Sequence, residues 1–159
     1  MKPEFWLTVR GVQEYDGIDP DTIELSTEAS LTSEDGVLYL SYPESALTGL
    51  AGTVTTFEIR PDRVVLRRRG TVNNEMEFVP GEVRHSLYDF GHGALLVTVR
   101  TTRIDDNMTV DGGTLTVSYR LCLENLGSGK IEYRLSVRRL DPDAPAPNGA
   151  GSPDRGSED

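Results

Sequence analysis

Hydrophobic and polar residues alternate along nearly the whole chain. In residues 22–31, Ile23, Leu25, Thr27, Ala29 and Leu31 interleave with Glu24, Ser26, Glu28 and Ser30. A period of two sends one set of side chains into a core and the other into water, which is the mark of a half-buried β-strand. The same rhythm predicts strands over residues 5–15, 22–32, 37–42, 53–59, 64–69, 75–79, 83–88, 94–104, 114–124 and 131–140. Turn chemistry separates them: Glu34-Asp35-Gly36, Arg60-Pro61-Asp62-Arg63, Pro80-Gly81-Glu82, Gly91-His92-Gly93 and Gly127-Ser128-Gly129. Residues 105–113, with Asp105, Asp106, Asn107 and Asp111, read as a polar excursion. No segment shows a helical period. So many short strands in sequence bury their edges best by closing, so the expected fold is all-β: an antiparallel, up-and-down barrel of about eight to ten strands.

Composition adds limits. The 159 residues suit one domain. Residues 141–159 hold four prolines and no apolar group beyond Ala and Pro, so the expected division is a barrel over 1–140 and a disordered acidic tail over 141–159. The tail carries five acids and one base, −4 of the formal −10, which leaves about −6 for the barrel. That balance argues against nucleic acid or anionic membrane as a partner. The lone Cys122 forms no internal disulfide, and no stretch reads as a signal peptide or a membrane helix. A cytoplasmic setting is expected.

The catalytic inventory is thin. There are two histidines, His85 and His92, and no spacing typical of metal ligands, a nucleophile elbow or a phosphate loop. No cofactor is expected. Arginine is more telling, at fourteen residues against two lysines. Arg67, Arg68 and Arg69 are consecutive on one strand and cannot all face the same way. If Val64 and Leu66 face inward, so does Arg68, and a buried guanidinium needs a carboxylate or a polar network. That carboxylate is either a protein acid or a ligand's. If Val65 faces inward instead, Arg67 and Arg69 accompany it.

Several segments together bear a resemblance. They are Tyr42-Pro43-Glu44-Ser45, Leu47-Thr48-Gly49-Leu50, Gly52-Thr53-Val54-Thr55-Thr56, Arg69-Gly70, Met76-Glu77-Phe78 with Gly81, Tyr88 with Gly93, and Gly112-Gly113-Thr114-Leu115 with Tyr119. In this order the chain resembles the YwiB-like family of bacterial proteins over residues 5–140. The resemblance implies a lipocalin-like (calycin) barrel, a bacterial cytoplasmic protein and no assigned catalytic residues. The chain departs from the family pattern at Tyr88-Asp89-Phe90-Gly91-His92-Gly93, where Tyr-x-Thr-Pro-x-Gly is expected.

Three readings of function follow. The leading one is a noncatalytic binder of a small apolar or carboxylate-bearing ligand, with Arg68, His85, Tyr88, Tyr119 and Tyr133 as the binding residues. The second is a protein-interaction domain with a filled core, using the loop that carries Glu44, Thr48, Gly49 and Leu50. The third is a hydrolase or isomerase built on His85, Tyr88 and a carboxylate such as Glu44.

Overall fold

The computed structural model describes residues 5–15, 19–46, 50–124 and 127–140. The expected tail, 141–159, lies outside them. The described residues form ten strands: β1 (Phe5–Tyr15), β2 (Asp21–Glu34), β3 (Val37–Pro43), β4 (Thr53–Ile59), β5 (Val64–Gly70), β6 (Asn73–Phe78), β7 (Val83–Asp89), β8 (Ala94–Thr109), β9 (Gly112–Leu123) and β10 (Gly127–Arg139). Each pairs antiparallel with its sequence neighbour, and β1 pairs with both β2 and β10, so the meander closes into a barrel. No helix is present among the described residues that is long and apolar enough to cross a membrane.

The alternation sets the register. On β1, Phe5, Leu7 and Val9 are buried, and they lie opposite Ala29, Thr27 and Leu25 of β2. One half of the bore is filled: Phe5, Leu7, Leu40, Phe57, Leu66, Phe78, Leu115 and Leu135 are completely buried there. Phe78 alone removes roughly 2–3 kcal/mol worth of apolar surface from water.

Two local expectations are corrected. Residues 105–109 are not a loop: β8 runs on to Thr109 and the turn shrinks to Val110 and Asp111. Asp105, Asp106 and Asn107 are poor strand formers, but Ile104 and Met108 pack inward and the ladder to β9 continues to Thr109↔Gly112. Gly113 permits this pairing. Its φ is +139°, and a Cβ there would sit 2.1 Å from the Asn107 carbonyl oxygen. Likewise Gly127 and Gly129 belong to β10 rather than to a turn, so β10 begins four residues earlier than the alternation places it.

The ring is uneven. β6 and β7 share only two residue pairs, Asn73↔Asp89 and Asn74↔Tyr88. Beyond them the strands part, and Arg84 of β7 bridges the gap with its Nε 2.9 Å from Glu77 of β6.

Candidate ligand cavity

The other half of the bore is hollow. A cavity of about 280 Å³ opens there, and two inward positions explain why. Gly11 lies opposite Tyr133, and Gly129 lies opposite Tyr15, across the β1–β10 pair. A Cβ on Gly11 would meet Tyr133 Cε1 at 3.0 Å, and one on Gly129 would meet Tyr15 Cδ1 at 2.5 Å. Each tyrosine ring therefore leans over a bare stretch of strand, which leaves open space beside it.

The walls divide into two arcs. Across β3 to β7 the register aligns Tyr42↔Thr55, Thr55↔Arg68, Arg68↔Asn74 and Asn74↔Tyr88. Five consecutive strands thus hold polar side chains at one level. Facing this belt is an apolar wall that includes Val9, Leu25, Val97, Leu121 and Ile131. Tyr119 and Tyr133 project from β9 and β10, with ring centroids 6.3 Å apart. Tyr119 also packs on Phe78 at 4.7 Å, so it rests on the filled half of the barrel.

Arg68 is the charge at the centre of the belt. It is 7% exposed, and Val64 and Leu66 share its inward face. Arg67 and Arg69 point out, where Arg67 joins Glu58 and Glu75. The Arg68 guanidinium has two long contacts, Nη1 to Asn74 Oδ1 and Nη2 to Tyr133 Oη, each 3.4 Å. Its Nε has no partner. Among the described residues it forms no ion pair with a carboxylate. Asn74 is held in turn by its Nδ2, which donates to the Leu87 carbonyl at 3.1 Å.

Glu44 contributes the negative charge near the mouth. Its Oε2 accepts from Thr55 Oγ1 at 2.6 Å. Burial first, and then the neighbouring Glu44, push the Tyr42 phenol well above its ordinary pKa. Burial, with Tyr133 alongside, does the same to Tyr119. Both phenols are neutral at physiological pH, so they serve as hydrogen-bonding groups and not as charges. Among the described residues no three His, Cys, Asp or Glu side chains gather closely enough to hold a metal ion.

Of the residues singled out by sequence, Arg68, Tyr88, Tyr119 and Tyr133 line this cavity together with Glu44 and Leu50. His85 does not. It stands on the outer face of β7, exposed, with Nδ1 3.1 Å from Thr98 Oγ1 of β8. The reason is parity: Tyr88 is inward, so His85, three residues earlier, points the other way. The His85–Tyr88–Glu44 grouping is therefore not assembled. Leu50 and Glu44 turn toward the cavity rather than forming an outward contact loop, while Thr48 and Gly49 lie outside the described residues. The alternation gave no sign of Asn74, Thr55 or Gly11 as site residues. Asn74 was within reach of counting, because a hairpin through Gly70–Asn73 that pairs Arg67 with Glu75 must also pair Arg68 with Asn74.

A ten-stranded up-and-down antiparallel barrel, closed on itself and hollow at one end, has the architecture of the lipocalin-like barrels. The comparisons narrow this. Residues 7–135 match the model of a domain of unknown function, DUF1934, and the chain belongs to that family. Its fold is similar to that of the YwiB protein from Bacillus subtilis, known from a crystal structure, with a TM-score of 0.78. The two are 22% identical, and the match covers 87% of this chain and 93% of that one. Among curated proteins, none matches.

Proposed function

We propose that this barrel is a noncatalytic receptor for a small amphipathic carboxylic acid. One observation carries the reading: Arg68 is a buried cation facing a cavity, with weak neutral contacts and no carboxylate in ion-pair contact among the described residues, Glu44 acting on it only at longer range. A buried charge is stable only when something compensates it. A ligand carboxylate does so with the strongest kind of hydrogen bond an arginine makes. The apolar arc opposite then takes the ligand's hydrocarbon or aromatic body. A volume of about 280 Å³ equals about nine water molecules at ~30 Å³ each, so the ligand is small. It lies near the lower end of ordinary ligand cavities, ~300 Å³. Nothing in this reading calls for a cofactor or a macromolecular partner, and it suits a cytoplasmic metabolite.

Native mass spectrometry of gently purified protein tests the proposal. The expected result is a bound small acid that is lost from Arg68→Met while the barrel stays folded. A wild-type barrel that arrives empty, and whose amide NMR shifts do not move with millimolar apolar carboxylates, overturns it.

A further inference from the structure

The outer face of β7, β8 and β9 carries chemistry that the cavity does not use. Tyr88, Val97, Leu121 and Leu123 point into the bore, so the residues that alternate with them point outward. The register sets these outward residues in rows across the three strands. Val83, Arg100 and Arg120 form one row, and His85, Thr98 and Cys122 form the next. Leu87 and Leu96 pair in a third, which Glu124 joins by donating its backbone N–H to the Leu96 carbonyl at 3.1 Å. Asp89 follows on β7. Leu87 is 59% exposed, Leu96 39% and Val83 38%; among the described residues, Val54 and Val110 are the only other large apolar side chains so open to water. Exposed apolar side chains that cluster mark a contact surface, whereas scattered ones do not. Cations stand at one end of this cluster and acids at the other, with about 13 Å of strand between the Arg100 and Glu124 rows.

We infer that this face is an interface between two copies of this chain. Charge selects the arrangement. A twofold axis that runs across the strands turns one face end for end against the other. The Arg100–Arg120 end then meets Glu124 of the second copy, Leu87 meets Val83, and Leu96 covers the hydrocarbon stem of Arg100. An axis along the strands would set cations against cations and acids against acids, which repulsion disfavours. The middle row lies on the favoured axis, so the exposed Cys122 faces Cys122 of the second copy. Packed sheets lie about 10 Å apart, too far for a disulfide to form between them without backbone movement. The face spans about 14 Å across three strands and about 20 Å along them, on the convex wall of a barrel, so it buries less than a standard interface and the dimer is weak.

Sedimentation velocity of the full chain from about 1 µM to about 1 mM tests this, with half of the chains expected as dimer near ~100 µM. Leu87→Asp should weaken the dimer about tenfold or more. Arg100→Glu and Glu124→Arg should each weaken it, and the two together should restore it. A bis-maleimide with a span of about 10 Å should join wild-type chains through Cys122, their one cysteine, and the yield should fall in Leu87→Asp. Wild-type protein that stays monomeric at about 1 mM overturns the inference and leaves the face to a partner of another kind. A dimer that Leu87→Asp leaves intact overturns it too, because that dimer forms through another surface. A dimer that the bis-maleimide does not join overturns the twofold arrangement. None of these outcomes depends on what occupies the cavity. Because the concentration series and the cross-link on wild-type protein decide the matter, a variant that fails to fold does not protect the proposal.

Discussion

Arg68→Met should make the empty barrel more stable. Methionine has a similar reach, fills irregular space and brings no charge. Three terms decide the sign. Arg68 is 7% exposed, and relieving the desolvation of its charge is worth several kcal/mol, taken here as about 3. Against this, Asn74 Oδ1 loses its donor, at a cost of about 1 kcal/mol. The attraction between Arg68 and Glu44 across a partly hydrated mouth adds about 1 kcal/mol to the loss. The Tyr133 contact, at 3.4 Å, is too long to add much, and its hydroxyl borders the cavity, where water can replace the guanidinium. The balance is about 1 kcal/mol in favour of the variant. For a 159-residue chain this raises Tm by about 2–4 °C. The assay is thermal and urea denaturation at pH 7 of protein refolded from urea, since a retained ligand would stabilise the wild type by mass action. A fall in Tm of 4 °C or more would refute the reasoning. It would mean that Arg68 is well paired within the protein and does not await a ligand.

Three other changes probe the frame around the site. Asn74→Asp supplies Arg68 with an internal carboxylate but removes the donor to the Leu87 carbonyl; it should suppress acid binding, and whatever stability the new ion pair adds at pH 7 should be lost as pH falls through the aspartate's lowered pKa, read from titrations at pH 7 and from melts at pH 7 and pH 3. Glu58, buried on the outer face, has its carboxyl held below the ordinary value of 4.5 by hydrogen bonds from Arg67 and then Arg60, with burial opposing them. Its stabilisation is therefore present above about pH 4.5 and fades as pH falls below it, and Glu58→Gln should cost about 1–3 kcal/mol at pH 7 and flatten the acid limb of urea melts, whereas an unchanged limb counts against it. Gly113→Ala should cost about 2–4 kcal/mol in urea melts, because its Cβ would lie 2.1 Å from a backbone oxygen at a φ of +139°; a loss under 0.5 kcal/mol would contradict that packing.

Much of the barrel was readable because one rule, alternation, governs every strand. Once Phe57, Leu66 and Leu115 are taken as inward, the parity of their strands follows, and Arg68 and Tyr119 are inward with them. Residue chemistry misled where the ladder outweighed it. Asp105 to Asn107 look like a loop, yet pairing with Leu115 and its neighbours holds them extended. His85 was chosen for its chemistry and set aside by parity. The cavity itself was not legible, because what makes it is missing volume. Gly11 and Gly129 look like ordinary strand weaknesses until the register sets each beside a tyrosine. Nor does alternation reveal the polar belt. Tyr42, Thr55, Arg68, Asn74 and Tyr88 are scattered over 47 positions and meet only through four successive pairings.

On the proposed reading, the two halves of the bore divide the work of folding and of binding. A site that buries a cation without a carboxylate in direct contact draws on stability made elsewhere, and the filled half is where that stability lies. Phe5, Phe57, Phe78 and five fully buried leucines occupy it. Tyr119 joins the two halves: its ring packs on Phe78 while its edge faces the cavity. The polar belt also sits where the ring is thinnest. Asn74 forms one of the two residue pairs joining β6 to β7, and the same side chain touches both Arg68 and the Leu87 carbonyl. An acid bound as proposed that drew Arg68 away from Asn74 would act directly on the weakest pairing of the barrel. Charge compensation in the site and closure of the ring are thus coupled through a single asparagine.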